Sequence, residues 1–486
     1  MDRRIFPLAC ALYLIAANLV WIARDNRPPF WDMAYHQTAA LRIVNAFSEH
    51  GITALAGVPS LSGFYPPVYH SIVAVFYAIF GASPRVGQLA NIPAVFLLIF
   101  STYAIARSLM APVAAFAAVA LVTFYPLLVW MSRAAMIDYW LAGLVAFAMW
   151  VLLCTDGLTK RRTAIAFGLI CGIGLLTKLS FAAFVGLPAL WAARGRWKNA
   201  LLAGAVALAM AATWYAPHWN TFMTFYGINA SGGVAEGDPA RLSWQSLVFY
   251  ARAMEGYQLF LPLFVLFLIG AVCLARRFDE RWFPIALWIA GGWLGLLLIQ
   301  NKDPRYSMPL LAAVALISAR LFERRTAWLI ALVPFLLFQH FLISFGVPAL
   351  PDQVVLAQGI PGNPTWNWNL YSQSYAGLWG PPITADWPVD DVIERVSAES
   401  GGNPVCLALI PDIPSFDLQS FEYEILLRRA PVTVTRFASP VDVDRAGCAY
   451  MLLTLEAPGA RMEKFDELDQ FHLPGGQLIG LFRTNR

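Results

Sequence analysis

A series of long apolar segments fills the first 346 residues of this chain and leaves it few folds to adopt. Segments of about 20 apolar residues are long enough to cross a bilayer as helices, whose backbone groups are satisfied internally. The sequence therefore predicts a polytopic α-helical membrane protein with about 11 spans. The two segments beside Lys178 are short, which indicates tilted, broken or shielded helices. The predicted spans are 5–23, 87–106, 112–131, 139–154, 164–176, 180–193, 200–216, 259–275, 282–299, 307–319 and 327–346.

The composition agrees with a membrane protein and excludes some partners. Hydrophobic residues make up 59% of the chain and charged residues only 13%, which is more apolar than a soluble domain. A net charge of +4 is too small to indicate nucleic-acid binding. No small-residue cleavage site follows the first apolar segment, so it is predicted to be an uncleaved anchor.

The short apolar segment Ser71 to Phe80 decides the predicted topology. If it crossed the membrane, the later basic loops would lie opposite the N-terminal arginines, against the positive-inside rule. If it lies along the outer surface, every strongly basic loop is cytoplasmic. We adopt the second topology, which makes residues 24–86 the first outer loop of a membrane domain spanning 1–346.

This topology gathers ionisable residues on the outer face. Asp32 follows the first span, and a helix is predicted from Met33 to Ser48. Asp32 is either a functional carboxylate of this face, a solvated loop acid or the N-cap of that helix. Each cation can equally be a side chain that reaches into the lipid headgroups. The other ionisable residues of this face that we select, because they lie close to the ends of apolar helices, are Arg133, Asp138, Lys178, Lys302 and Arg305.

Four motifs occur in an order that resembles the motif order of a known family. They are Asp32, Pro66-Pro67-Val68-Tyr69, Ser132-Arg133 with Asp138, and the stretch from Lys302 to Pro309. The chain is similar over about its first 350 residues to GT-C integral-membrane glycosyltransferases. The similar group contains protein O-mannosyltransferases, the lipid A aminoarabinose transferase and rhizobial lipopolysaccharide sugar transferases. The resemblance implies a GT-C fold, a polyprenyl-phosphate sugar donor, and a glycan, lipid or protein acceptor such as lipopolysaccharide. It also implies a bacterial inner-membrane location with the active site on the periplasmic side.

The chain departs from the family pattern at two sites. Family members often have Asp-Glu at the first site, where this chain has Asp32-Met33. They also have Glu-Lys or Lys before the two prolines, where this chain has Phe64-Tyr65. In the aminoarabinose transferase that glutamate helps to hold a metal ion, so Phe64 argues against a divalent metal here. The missing lysine leaves more of the phosphate binding to Lys178, Lys302 or Arg305.

The predicted chemistry follows from these residue types. Fixed cations in a partly dry site stabilise the charge that develops on a leaving phosphate. Asp32 is the predicted general base, and a single base opposite the leaving group implies inversion at the anomeric carbon. The candidate substrate-binding residues are Arg133, Asp138, Lys178, Lys302, Arg305, Tyr306, Tyr35, Tyr65 and Tyr69.

Two other functions stay open at this point. A transporter or flippase of a lipid-linked sugar would need matching broken helices in two halves and charges at mid-membrane depth. The second open function is that of a catalytically silent homologue that only binds the acceptor.

The chain changes character after residue 346. Residues 347–385 contain many prolines and read as an irregular connector, and 386–486 read as a soluble extracytoplasmic α/β domain that covers the cavity or presents the acceptor. No glycine-rich phosphate loop is present, which argues against nucleotide binding. Asp386 is predicted to cap a helix from near Pro388. The other predicted elements are strands 405–410, 432–437, 449–455 and 477–482 and a helix over 416–429.

Whether two cysteines of this domain form a disulfide stays open. If strands 405–410 and 449–455 are parallel neighbours, Cys406 and Cys448 lie at the same end of the sheet. They then either form a disulfide, which persists outside the cytoplasm, or remain small buried thiols.

Overall fold

The chain is described by a computed structural model that covers residues 4–323, 325–360, 363–375, 379–455 and 465–484. Most of the described chain is helical. In chain order the helices are α1 (Ile5–Arg24), α2 (Trp31–His50), α3 (Val58–Leu61), α4 (Val68–Phe80), α5 (Pro84–Leu89), α6 (Ile92–Leu109), α7 (Pro112–Phe124), α8 (Pro126–Ser132), α9 (Ile137–Cys154), α10 (Arg161–Leu175), α11 (Phe181–Ala192), α12 (Trp197–Tyr215), α13 (Trp219–Ala235), α14 (Trp244–Ala253), α15 (Phe260–Arg276), α16 (Phe283–Leu298), α17 (Leu311–Ala319), α18 (Thr326–Phe345), α19 (Val389–Glu399), α20 (Leu418–Arg428) and α21 (Pro440–Ala446).

The strands all lie in the last third of the chain. They are β1 (Gln353–Ile360), β2 (Asn363–Ser372), β3 (Val405–Leu409), β4 (Val432–Arg436), β5 (Tyr450–Leu455), β6 (Phe465–His472) and β7 (Leu478–Thr484).

The helices confirm the predicted class, an integral membrane protein with many spans. Among the described residues, seven helices are long and apolar enough to cross a membrane, and nine if each bent pair is one span. The bent pairs are α7 with α8, at 59°, and α12 with α13, at 83°. Together these account for every predicted span except the two beside Lys178. There α10 and α11 have only 15 and 12 residues, and at about 1.5 Å per residue they are shorter than the hydrocarbon core.

Glycines let these short helices pack closely against their neighbours. A Cβ atom at Gly168 of α10 would lie 2.5 Å from the carbonyl oxygen of Ala203 in α12. A Cβ at Gly291 of α16 would lie 2.7 Å from the carbonyl oxygen of Ala183 in α11. Small residues allow such backbone approach in membranes, where packing rather than the hydrophobic effect holds helices together. The turn that carries Lys178 is therefore fixed by tight contacts on both sides.

A β-hairpin occupies part of the segment after α18. Strands β1 and β2 pair antiparallel, with Gln353 opposite Ser372. The interpretation of this whole segment as an irregular connector was wrong. Its prolines suggested loop, whereas the aromatic residues Trp366 and Trp368, which favour pleated structure, stack at 5.4 Å between ring centroids.

The C-terminal residues form a five-stranded mixed sheet with the order β4-β3-β5-β7-β6. Strand β3 runs parallel to β4 and β5, and β7 runs antiparallel to β5 and β6. Apolar residues of β3, α19 and α20, including Leu407, Val392 and Phe421, share one buried cluster. The four predicted strands and two predicted helices are confirmed, whereas β6 and α21 were not predicted.

Two further predictions concern this sheet. Strands β3 and β5 are parallel neighbours as supposed, and Cys406 and Cys448 form a disulfide. The predicted cap by Asp386 is wrong, because Pro388 occupies the N-cap position without a side-chain bond. The Asp386 carboxylate instead accepts a hydrogen bond from Asn26 Nδ2 at 2.9 Å.

The chain divides into two compact units, and both are discontinuous in sequence. The helical unit comprises Met1–Trp21, Gly57–Tyr69 and Asn91–Pro381. The mixed unit comprises Ile22–Ala56, His70–Ala90 and Pro382–Arg486. Within the mixed unit α2 packs against α20, so the segment that follows α1 belongs to the same unit as the C-terminal sheet.

Candidate active site

A cavity of about 370 Å³ lies within the helical unit. Residues of α11, α13 and α16 line it together with the segment before α4. Its polar lining residues are few, and most of the wall is aromatic or aliphatic. The aromatic lining residues are Phe64, Tyr65, Phe184, Tyr215, Phe222, Phe225, Tyr226 and Tyr306, and the polar ones include Lys178, Ser180, Asn229, Gln300 and Asn301.

Lys178 places a cation on the wall of this cavity. It lies in the turn between α10 and α11, and its Nζ donates to Asp138 Oδ1 at 2.7 Å. The Asp138 side chain is 2% exposed and that of Lys178 is 19% exposed. Nζ also lies 4.6 Å from the ring centroid of Tyr306, whose hydroxyl donates to Asn301 Oδ1 at 3.1 Å. The carboxylate and the ring thus hold the ammonium in one position.

The end of α13 fixes the segment that carries Asn301. A Cβ at Gly233 would lie 2.6 Å from the Asn301 Cα, so the two backbones are in direct contact. Asp238 Oδ2 accepts a hydrogen bond from the Lys302 backbone N at 2.6 Å. The cavity wall formed by α13 is therefore tied to the loop before Tyr306.

Lys302 itself points to the backbone. Its Nζ donates to the carbonyl oxygen of Leu296 at 2.7 Å and to that of Ile299. These carbonyls end α16 and have no partner within the helix, so the ammonium caps the helix. Burial lowers the pKa of Lys302 to about 8. Lys302 does not line the cavity, and the phosphate contact predicted for it stays a prediction.

The two predicted arginines also have partners away from the cavity wall. Arg305 is paired with Asp303, with Nη2 2.6 Å from Oδ2. Arg133 is buried: its guanidinium lies 4.5 Å from the ring centroid of Trp21, and Nη1 donates to Ser344 Oγ at 2.9 Å. Among the described residues, Lys178 is thus the member of the predicted cation set that lines the cavity.

Tyr65 lines the cavity as well, while Tyr69 is fully buried outside its lining. The neighbouring Phe64, which departs from the family pattern, stacks on Phe225 at 5.1 Å with an interplanar angle of 12°. Phe225 and the rest of α13 were missed as wall residues. The sequence signal was present as the aromatic residues Phe222, Phe225 and Tyr226, but this stretch lies between the predicted spans 200–216 and 259–275 and was assigned to neither.

Asp32 and Tyr35 belong to the mixed unit. Helix α2 has Phe30 at its N-cap and Asp32 in its first turn, so the N-cap alternative for Asp32 is wrong. An acid in the first turn is favoured by the helix dipole. The Tyr35 ring lies 6.2 Å from that of His70, and His70 Nε2 is 2.8 Å from His36 Nδ1. Asp32 is partly exposed at the start of this helix.

Among the described residues, no group of three or more His, Cys, Asp or Glu side chains is arranged to hold a metal ion.

Comparison with known proteins gives a family match and a fold match. Residues 65–219 match the sequence profile of a family described as dolichyl-phosphate-mannose-protein mannosyltransferase. The structure is similar to that of ArnT from Cupriavidus metallidurans in the apo state, with a TM-score of 0.61 and 15% identity. It is also similar to the same protein bound to undecaprenyl phosphate, with a TM-score of 0.60 and 14% identity. In both comparisons the alignment covers 98% of this chain and 97% of the other. No curated protein sequence gives a significant match.

The profile match and the shared fold agree with the motif order read from the sequence. The resemblance predicted there is confirmed: residues 65–219 match a mannosyltransferase family, and this integral membrane protein has the fold of ArnT.

Proposed function

We propose that this protein transfers a sugar from a polyprenyl-phosphate donor to an acceptor hydroxyl, with inversion at the anomeric carbon. The observation that carries the proposal is the single lysine ammonium held on the wall of a largely aromatic cavity. A polyprenyl-phosphate sugar has the same two parts, an anionic phosphate and a long apolar chain. The match to a dolichyl-phosphate-dependent family and the likeness to ArnT bound to undecaprenyl phosphate support this donor class.

Lys178 is the proposed phosphate ligand. An ammonium has three N–H donors, and the one directed at Asp138 leaves others to reach a phosphate oxygen. Asp138 prevents the side chain from rotating away, so little ordering is needed when the donor binds. The aromatic wall that includes Phe225 and Tyr226 then accommodates the isoprenoid chain. In the transition state the ammonium stabilises the charge growing on the leaving phosphate.

Asp32 is the proposed general base. Its carboxylate takes the proton of the acceptor hydroxyl as the acceptor oxygen bonds to the anomeric carbon. The bond from that carbon to the phosphate oxygen breaks, and polyprenyl phosphate leaves with the electron pair. General-base catalysis of this kind contributes about 10²- to 10⁴-fold in rate. None of these steps uses a divalent metal, so activity should persist in a chelator.

The reaction is proposed to occur on the periplasmic face of a bacterial inner membrane, on a glycan, lipid or protein acceptor such as lipopolysaccharide. The support is the positive-inside rule, which makes the basic loops cytoplasmic. Helix α4 has 13 residues, or about 20 Å at 1.5 Å per residue, too few to cross a membrane. Cysteines introduced near Thr53 and Gly81 should both react with an impermeant outside reagent. Labelling of the cysteine near Gly81 only after the membrane is opened would contradict this topology.

The decisive experiment uses the purified protein in lipid with a panel of polyprenyl-phosphate sugars. Acceptor-dependent release of polyprenyl phosphate is expected with one of them. Movement of an intact donor across the bilayer without cleavage would instead indicate a flippase. Asp32→Asn should bind the donor normally and lose most transfer, and wild-type turnover in that variant would contradict the base assignment.

Two lysine variants test the phosphate site within the same experiment. Lys178→Gln should weaken donor binding by at least about tenfold, because a charge-assisted contact to phosphate is lost. Lys302→Gln removes the same type of side chain from a position bonded to helix carbonyls, and should weaken donor binding less than Lys178→Gln does. The opposite ranking would assign the phosphate to Lys302.

A further inference from the structure

Three of the four residues that precede Asp32 form hydrogen bonds with the C-terminal part of the mixed unit. Ser415 Oγ donates to the Pro28 carbonyl oxygen at 3.1 Å, and Ser420 Oγ donates to the Pro29 carbonyl oxygen at 2.8 Å. Proline has no backbone N–H, so its carbonyl oxygen is the one backbone group through which each of these residues can be held by a hydrogen bond.

The last residue of this segment, Trp31, is held at two atoms. Its backbone N donates to Asp417 Oδ1 at 3.3 Å, and its indole Nε1 donates to Asp412 Oδ1 at 3.4 Å. Asp417 is completely buried and also caps α20, where Oδ1 accepts from the Gln419 backbone N at 2.9 Å. One carboxylate therefore joins the start of α2 to the start of α20.

The backbone at this junction is strained. Trp31 has φ of 44° and Ser415 has φ of 66°, both in the left-handed region that favours glycine. Such a conformation is costly for a large side chain and persists only where the surroundings enforce it. The bonds to Asp417 and Asp412 are those surroundings. Strained residues of this kind concentrate at functional sites, and this one directly precedes the proposed base.

We propose that Asp417 is a positioning residue for the base: by holding the Trp31 backbone, it sets the direction in which α2 starts and so aims the Asp32 carboxylate. The inference rests on the role proposed for Asp32. What Asp417 supplies is an acceptor oxygen at a fixed place, since Oδ1 accepts from the backbone N–H groups of Trp31, Gln419 and Ser420. An asparagine offers the same oxygen without the charge. Burial raises the pKa of Asp417 to about 6, which is consistent with a role in geometry.

The test compares variants of the full-length protein in lipid nanodiscs. Asp417→Ala should lower kcat at least about tenfold, because small displacements of a catalytic group are costly, while donor KM stays within about twofold. Asp417→Asn should restore kcat to within about threefold of the wild type. Hydrogen exchange in residues 28–37 should be faster in Asp417→Ala than in the wild type.

A matched control removes a different helix cap from the same unit. Ser439 caps α21 by accepting from the Asp442 backbone N, and it has no recorded bond to residues 28–31. Ser439→Ala should leave kcat and exchange at residues 28–37 unchanged. If Asp417→Ala does not accumulate as folded protein, Ser420→Ala, which removes only the bonds of a hydroxyl, should show the same type of kcat loss.

Several outcomes would overturn the inference. The first is an unchanged kcat in Asp417→Ala or, if that variant does not fold, in Ser420→Ala. The second is a loss of kcat in Asp417→Asn equal to that in Asp417→Ala. The third is an effect on donor KM alone. A wild-type protein inactive with every donor would overturn the proposed function, and this inference with it. An active wild type with an indifferent Asp417 would overturn the inference and leave the function intact.

Discussion

Lys178 and Asp138 form an ion pair between residues 40 positions apart, with Nζ 2.7 Å from Oδ1 and the carboxylate almost fully buried. A buried pair is often no more stabilising than an apolar one, whereas removal of one partner leaves a buried charge uncompensated. Its position on a cavity wall therefore favours a role in ligand binding over a role in stability.

The pair gives the first prediction, which concerns stability. Asp138→Asn should destabilise the protein by about 3 kcal/mol, since the Lys178 ammonium would lose its partner. The double variant with Lys178→Met should be less destabilised than the sum of the two single variants. Unfolding in detergent, followed by intrinsic fluorescence, measures all four proteins. Strictly additive effects would mean that the two side chains do not interact.

The second prediction concerns helix packing in the membrane. Gly168→Ala should destabilise the protein by about 1–3 kcal/mol, because the added methyl group would meet the Ala203 carbonyl oxygen at 2.5 Å and force α10 from α12. Gly204 of α12 is the matched control, since a Cβ there has no neighbour within 4 Å. Gly204→Ala should be neutral or slightly stabilising. Equal effects in thermal unfolding would contradict the close contact.

The third prediction concerns pH and Lys302. Its pKa is about 8 in the folded protein, against about 10.4 for an unfolded lysine. Between these values the unfolded chain binds more protons, so this group makes folding more favourable as pH rises from about 8 to about 10. Relative to Lys302→Met, the wild type should gain roughly 1–3 kcal/mol over that range. A constant difference between the two unfolding curves would show that Lys302 has an ordinary pKa.

The fourth prediction concerns the disulfide between Cys406 and Cys448. Protein alkylated before reduction should yield the cross-linked peptide by mass spectrometry. The double serine variant should lose about 2–4 kcal/mol, because the bond closes a loop of 42 positions that restricts the unfolded chain. Full alkylation of both thiols in unfolded, unreduced protein would rule the bond out.

The membrane helices and the main strands were readable from the sequence for a simple reason. Their signals are local: a run of apolar residues or a β-branched segment carries the information within itself. The order of the motifs, from Asp32 to Tyr306, likewise depends only on sequence and was enough to recognise the GT-C class.

The roles of individual cations were not readable, since they depend on side-chain directions set by tertiary packing. Lys178 and Lys302 have the same chemistry and a similar position at the end of an apolar segment. The first lies on the cavity wall, and the second bonds to the carbonyls that end α16. The hairpin of β1 and β2 was not predicted because the prolines of this segment were taken to indicate a loop despite its tryptophans. Strand β6 was not predicted because its many charged residues are typical of a loop.

The bond from Trp31 to Asp417 joins residues 386 positions apart. At a synthesis rate of roughly 5–20 residues per second, about 20 to 80 seconds separate the two residues on the ribosome. During that interval α2 exists without α20, and the buried face that includes Met33 and Leu41 has no partner from the C-terminal sheet. The first loop can therefore complete its fold only after the last membrane helix has been made. A chain whose synthesis stops before Pro382 would insert its helices but lack the contacts that shape the start of α2. The proposed base, Asp32, would then reach its final position only after the C-terminal residues have been made.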